Sequence, residues 1–257
     1  MSAQAVRVSP DWLVLREPAD AAARSAELAE RLGRRVSAAD RLVIHDLGGG
    51  SGAMGRWLAP RLPRPQHWVV HDRDAELLEL AVAAPPDSAT VEARRYDITR
   101  LTPDDLAGAN LITASALLDL LTADELIRLL RVCIGCPMLL TLTVVGRVIL
   151  TPADPLDASI GAAFNAHQRR GRLLGPDAVA AALEDLSGTR AEVYIRPSPW
   201  RLDPAHADLT AEWLRGWVAA AREQEPALAT EACAYLDRRL AAEPAVTVDH
   251  ADLLVLP

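Results

Sequence analysis

Apolar positions along this chain fall into short β-branched runs separated by amphipathic stretches rich in alanine and leucine. The runs Arg41–Asp46, His67–His71, Thr90–Arg95 and Asn110–Ala114 have the length and residue types of strands. Between them, Ala53–Ala59, Ala75–Ala84 and Thr122–Gly135 carry apolar residues at helical spacing. A fifth run, Met138–Val145, is apolar almost throughout, which suits a central strand buried on both faces. Strands and helices that alternate in this way predict a parallel sheet covered by helices on both sides.

The flanking regions are less regular. Asp20–Leu32 is expected as one leading helix, with Ala21, Leu28 and Leu32 on one face and Ser25 between them. After residue 150 the pattern predicts a helix over Asp157–Arg172 and a second from Gly175 to Leu186. A sixth strand follows at Ala191–Arg196, then helices at Thr210–Arg222 and Pro226–Leu240 and a last strand at Val246–Leu256. This divides the chain into an N-terminal helical cap, 1–40, and a main domain, 41–257, with a helical insertion over 200–244.

The most informative segment is Leu42-Val43-Ile44-His45-Asp46-Leu47-Gly48-Gly49-Gly50-Ser51-Gly52. A strand ends in an acid, and a glycine-rich turn leads into a helix. That is the cradle an α/β protein builds for a nucleotide-like ligand. A carboxylate at the strand tip repels a pyrophosphate and suits a ligand bearing a cationic ammonium group.

The spacing Asp46-x-Gly48-x-Gly50-x-Gly52 resembles the first motif of class I S-adenosylmethionine (SAM)-dependent methyltransferases. The resemblance implies a doubly wound α/β fold with a mostly parallel seven-stranded sheet. Its last strand is antiparallel and inserted between the fifth and sixth. It also implies that the loop, with Asp46, Gly48, Gly49, Gly50 and Gly52, holds the methionine part of SAM. Asp72, with its neighbour Arg73, closes the second strand about 20 residues on, where an acid accepts ribose hydroxyls. Asp97 and Ile98 resemble the pair that receives the adenine amine and ring. Ser115 and Leu117, after the fourth strand, are candidate adenine-side contacts, and the product would be S-adenosylhomocysteine. A leading helical segment often closes over cofactor or substrate in this family, and Trp12 and Arg16 are candidates for that lid or for packing on the sheet edge.

The acceptor side is less legible. The segment after the fourth strand lacks the Pro-Pro-aromatic pattern of base-modifying enzymes and the Pro-Cys of cytosine C5 enzymes, which leaves small-molecule acceptors. Asp119 either faces the substrate or caps the helix starting near Thr122. His167 is the candidate general base, and Asn165, Gln168 and Arg169 could orient a polar or anionic acceptor. Trp200 is a candidate aromatic wall; Trp200, Trp213 and Trp217 read equally as insertion core. His45, His71 and His250 are read as structural or weak alternatives. Gly50-Ser51-Gly52-Ala53-Met54-Gly55 also reads as the dinucleotide fingerprint, so an NAD(P) oxidoreductase is the rival reading. A non-catalytic SAM-binding protein or an aminopropyl transferase on the same scaffold is the third.

Composition narrows the choice. The chain has 257 residues, half of them hydrophobic, which suits one α/β domain with a modest insertion. All 27 basic residues are arginine, so a Schiff-base or P-loop lysine is excluded. A net charge of −8 argues against a nucleic-acid substrate. No 18-residue apolar run and no signal-peptide layout is seen, so a cytoplasmic protein without membrane association, monomeric or homodimeric, is expected. Cys133-Ile134-Gly135-Cys136 has no second ligand pair; ordinary buried thiols and no metal are expected.

Overall fold

A computed structural model describes residues 8–37, 40–87 and 89–257. The strands are β1 (Leu42–Leu47), β2 (Gln66–Asp72), β3 (Ala89–Arg95), β4 (Leu111–Ser115), β5 (Met138–Thr151), β6 (Glu192–Pro197), β7 (Trp200–Leu202) and β8 (Ala245–Leu256). They form one sheet in the order β3-β2-β1-β4-β5-β8-β6, with β7 also paired to β8. The first five strands are mutually parallel, and β8 runs antiparallel between β5 and β6. This is the expected order, with eight strands where seven were expected. The added strand, β7, spans three residues after a Pro-Ser-Pro turn, too short to carry a periodicity signal.

The helices are α1 (Pro10–Ala23), α2 (Ala26–Val36), α3 (Ala53–Leu58), α4 (Ala75–Ala83), α5 (Ala123–Cys133), α6 (Asp157–Gln168), α7 (Ala178–Ser187), α8 (Ala207–Gln224) and α9 (Ala229–Ala242). The single leading helix expected over Asp20–Leu32 is instead two helices broken at Arg24–Ser25. Ser25 is extended and its hydroxyl accepts from Leu28 N–H, so it starts α2 rather than lying inside a helix. The helix expected to reach Arg172 stops at Gln168, and the left-handed Gly171 follows shortly after. Among the described residues, no helix is long and apolar enough to cross a membrane.

Two layers of core follow from this order. Leu28, Leu32, Ile44, Leu58, Trp68 and Leu254 pack on one face of the sheet. Ile112, Leu126, Leu130, Leu140, Ala182 and Leu253 pack on the other. A third core lies beyond them. β5 bulges at Leu142, which has φ +55, and continues to Thr151. That extension pairs with the first half of β8, and β7 joins them. Ile160 of α6, Leu214 and Trp217 of α8, Tyr235 of α9, and Trp200 pack together against this extension, joined by Ala19 of α1. The two insertion helices therefore share a core with α1 and α6.

Candidate functional site

The loop after β1 turns three times through left-handed backbone, at Gly48 (φ +64), Gly50 (φ +53) and Gly52 (φ +82). Only glycine adopts these angles without strain. Gly49 has a different requirement. A Cβ there would lie 2.5 Å from Asp46 Oδ2 and 2.8 Å from Val70 Cγ1. Gly49 N–H donates to the His71 carbonyl at 3.1 Å, which ties the loop to β2.

Asp46 is almost fully buried beneath this loop. Thr113 donates its hydroxyl to Asp46 Oδ1 at 2.7 Å, while Oδ2 has no hydrogen bond among the described residues. Burial raises the Asp46 carboxyl to about 7, with Thr113 and the Arg24 charge opposing the shift. Asp46 thus acts on a ligand through the loop it supports. Asp72 reaches the loop directly: its Oδ2 accepts from Gly50 N–H at 2.9 Å and its Oδ1 from Asp74 N–H at 3.0 Å. Each carboxylate oxygen retains capacity for a further donor. Arg73 is exposed; burial would raise the Asp97 carboxyl, but the Thr99 hydroxyl and N–H hydrogen bonds outweigh it and lower the carboxyl, with the charges of Arg73 and Arg100 adding to them. Asp97 takes Thr99 N–H and hydroxyl on the one oxygen Oδ1, and Ile98 beside it is buried.

β1 and β4 are neighbours, with Leu47 level with Ala114. Gly48 and Ser115 therefore leave the sheet side by side. The chain order reverses between these strands, which places a topological switch point there. Leu117 lies against Gly48, its Cδ1 3.0 Å from where a Cβ would stand. The structure thus places Gly48, Gly49, Gly50, Gly52, Asp46, Asp72, Ser115 and Leu117 at the carboxyl ends of β1, β2 and β4, with Asp97 and Ile98 at the tip of β3 beyond β2.

Helix α1 lies over the glycine loop. Leu13 Cδ1 is 3.5 Å from the position of a Gly50 Cβ. Glu17 holds Arg56 by two 2.7 Å bonds, and Arg56 donates to the Ser51 carbonyl. Arg16 and Asp20 then lead from the loop toward β7. Arg16 makes two bonds to Asp20 at 2.9 and 3.1 Å and lies 4.9 Å from the Trp200 ring centroid. Trp200 is buried and donates its indole N–H to Asp20 Oδ1 at 2.9 Å. It sits on a strand, not in the insertion helices.

Asp119 is buried, with Oδ1 lacking a hydrogen bond among the described residues. Thr122 itself caps α5, with Glu125 completing the capping box, so Asp119 is not the cap. Burial raises the Asp119 carboxyl to about 6, and the Arg16 charge moderates the rise.

His167 differs from expectation. Its Nε2 faces Glu223 of α8 at 3.0 Å and its Nδ1 faces Arg170 at 2.9 Å. With the arginine donating to Nδ1, the imidazole lone pair is already engaged, so this arrangement leaves no free base. The expected neighbours are similarly engaged. Arg169 is paired with Asp177 by bonds of 2.6 and 2.8 Å, and Asn165 donates to the Gly146 carbonyl. Gln168 packs against Gly175, its Oε1 buried without a partner among the described residues. A polar helix face on the sequence is here a set of ion pairs and hydrogen bonds to α8, β5 and the start of α7.

Sequence reasoning missed two groups. Arg24, at the break between α1 and α2, is buried and donates to Ser115 Oγ at 3.0 Å. Asp252 of β8 is fully buried and accepts from Ser25 N–H and Leu142 N–H, both at 2.8 Å. An acid directly ahead of the apolar run Leu253-Leu254-Val255-Leu256 was the available signal for Asp252. Among the described residues no cluster of histidine, cysteine and acidic groups could hold a metal. Burial pushes the Cys133 thiol to about 12 and that of Cys136 to about 11, so neither is a thiolate at neutral pH.

No family model matches the chain, and no curated protein matches it. Among solved structures, the cyclopropane synthase MmaA2 of Mycobacterium tuberculosis aligns at a TM-score of 0.51 and 12% identity, covering 97% of this chain and 95% of that one. A SAM-dependent methyltransferase from Thiobacillus denitrificans, in complex with S-adenosylhomocysteine, aligns at 0.49 and 16%, covering 98% and 100%. One from Geobacter sulfurreducens, in the same kind of complex, aligns at 0.48 and 17%, covering 97% and 99%. The likeness to the cyclopropane synthase shows a shared fold.

Proposed function

We propose that this chain is an enzyme that moves a methyl group from S-adenosylmethionine to a small-molecule acceptor. One observation carries the reading: a glycine loop in left-handed backbone and four polar side chains, Asp46, Asp72, Asp97 and Ser115, meet at the carboxyl ends of four adjacent parallel strands. Open parallel sheets bind ligands at that edge. The residues present fit a cofactor with an amino-acid head, a ribose and an adenine. Gly48, Gly49, Gly50 and Gly52 leave backbone room for the head, which the charge of Asp46 favours on its ammonium side. Asp72, steadied by Gly50 N–H and flanked by Arg73, takes the ribose hydroxyls. Asp97 and Ile98 take the adenine edge, and Leu117 supplies apolar contact.

When bound, the cofactor supplies an electrophilic sulfonium methyl and a neutral thioether leaving group. The protein's task is alignment and exclusion of water. Helix α1, which lies over the glycine loop, and the third core that it shares with the 200–244 segment form the acceptor side of this reading. Asp119 replaces His167 as the group that would take a proton from the acceptor, since its Oδ1 has no hydrogen bond among the described residues and its raised pKa sits near working pH. The net charge of −8 favours a small molecule over nucleic acid.

Calorimetric titration with S-adenosylhomocysteine, beside NAD and NADP, tests the reading. Micromolar binding of the first alone is the expected result. Binding of a nicotinamide cofactor instead would restore the Gly50-Gly52-Gly55 frame and remove the methyltransferase reading. On an identified acceptor, Asp119→Asn should lower kcat about a hundredfold with unchanged S-adenosylhomocysteine affinity, whereas His167→Ala should leave kcat within about twofold.

A further inference from the structure

Arg24 stands beside the tip of β4 with most of its donors unspent. Its side chain is 1% exposed. Nη2 donates to Ser115 Oγ at the tip of β4. Nε and Nη1 are buried and have no acceptor among the described residues. The Trp57 ring packs on the guanidinium, 5.6 Å from its carbon.

The acids around it do not complete it. Asp20 Oδ2 is 3.9 Å away, too far for a hydrogen bond, and Asp20 is already bound by Arg16 and Trp200. Asp252 accepts from the backbone N–H groups of Ser25 and Leu142 and makes no hydrogen bond to Arg24. Asp46 acts on Arg24 only through its charge. Burial weakens the charged form of Arg24 and the Arg16 charge adds to that, while the charges of Asp20, Asp252 and Asp46 oppose it. A buried guanidinium with charge compensation but no bonded carboxylate is ready for an anion that brings its own oxygens. It lies beside Ser115, which leaves the sheet next to Gly48.

We infer that Arg24 is the residue that receives the α-carboxylate of the methionine moiety of the cofactor, through Nε and Nη1, with Ser115 holding Nη2 in position. The assignment rests on the proposed cofactor. It gives the amino-acid head two electrostatic partners at the switch point: Asp46 below the loop for the ammonium and Arg24 at the helix break for the carboxylate.

The test is a cycle of ligand and side-chain truncation read by calorimetry. Wild type, Arg24→Met and Arg24→Lys are each titrated with S-adenosylhomocysteine, with its decarboxylated amine analogue and with 5′-methylthioadenosine. Wild type is expected to prefer S-adenosylhomocysteine over the decarboxylated analogue by about thirtyfold or more. In Arg24→Met that preference should collapse to within about threefold, while affinity for 5′-methylthioadenosine stays within about threefold of wild type. Arg24→Lys, which keeps a charge but loses the fork, should fall between. Equal losses for all three ligands would make Arg24 a structural residue and overturn the assignment, as would an undiminished preference in Arg24→Met. If Arg24→Met does not fold, the lysine variant and the wild-type preference decide the matter. Failure of wild type to bind S-adenosylhomocysteine would overturn the cofactor reading itself, an outcome distinct from binding without the arginine-dependent preference.

Discussion

Gly49 and Asp72 make the smallest unit of the site, and each has one reason for its identity. An alanine at 49 would put its methyl 2.5 Å from the Asp46 carboxylate and 2.8 Å from Val70, and both neighbours are buried. Gly49→Ala should therefore displace the loop, lower S-adenosylhomocysteine affinity at least about tenfold and reduce Tm by several degrees, read by calorimetry on the same sample. An unchanged affinity would mean that the loop is not the binding element. Asp72→Ala leaves the Gly50 N–H without its acceptor and should weaken the same ligand by about 1–3 kcal/mol. These residues were legible in the sequence because glycine spacing and an acid at a strand end are local signals. Arg24 was not, since its importance comes from a helix break and from strands that lie far along the chain. The polar run Asn165–Arg169 misled for the opposite reason. Its chemistry was visible, but the partners that occupy it, Glu223, Asp177 and Gly146, are distant in sequence.

At the scale of elements, the join of α2, β5 and β8 depends on one carboxylate. Asp252 accepts from the first residue ahead of α2 and from the residue at the bulge of β5. Asp252→Ala would strand the buried Leu142 N–H and the half-buried Ser25 N–H at once and remove a charge that opposes the desolvation of Arg24. The expected loss is about 3 kcal/mol, seen as a lower urea midpoint with an unchanged slope. A loss under about 1 kcal/mol would show that the bulge relaxes without it. The parallel strands β1 to β4 were readable because each is a short β-branched run with a turn signal behind it. The reach of β5 to Thr151 was not, because Gly146 and Arg147 break its apolar pattern while the backbone continues to pair with β8. The break in the leading helix was hidden by the alanines on either side, which favour helix on both sides of residue 24.

Over the whole molecule, histidines buried without charge set the acid limit. His45 Nδ1 and His71 Nε2 lie 3.0 Å apart between the sheet and its cover, and both rings are buried. Burial lowers each of them, and His250 beside Trp200, to about 4. Because these folded-state values lie below the unfolded value of 6.5, the unfolded chain binds protons first as pH falls. Stability from this source is complete above about pH 6.5 and is lost between there and about pH 4. One ring contributes on the order of 3 kcal/mol at the full shift. The raised carboxyls of Asp46 and Asp119 act in the opposite direction, because there the folded state takes up protons first. The histidine contribution is therefore read as a difference: between pH 6.5 and 4.5 Tm should fall less, or rise more, in His250→Leu than in wild type, and parallel melting-temperature profiles for the two would refute the account. The sheet order has another kind of consequence. Synthesis delivers β5 and β6 long before β8, the strand that fills the space between them. While the ribosome is still adding α8 and α9, the apolar edge of β5 stands open and the nascent chain cannot close its sheet. The growing polypeptide therefore carries that unpaired edge for the translation time of about ninety residues beyond Thr151, a few seconds to tens of seconds by ordinary elongation rates.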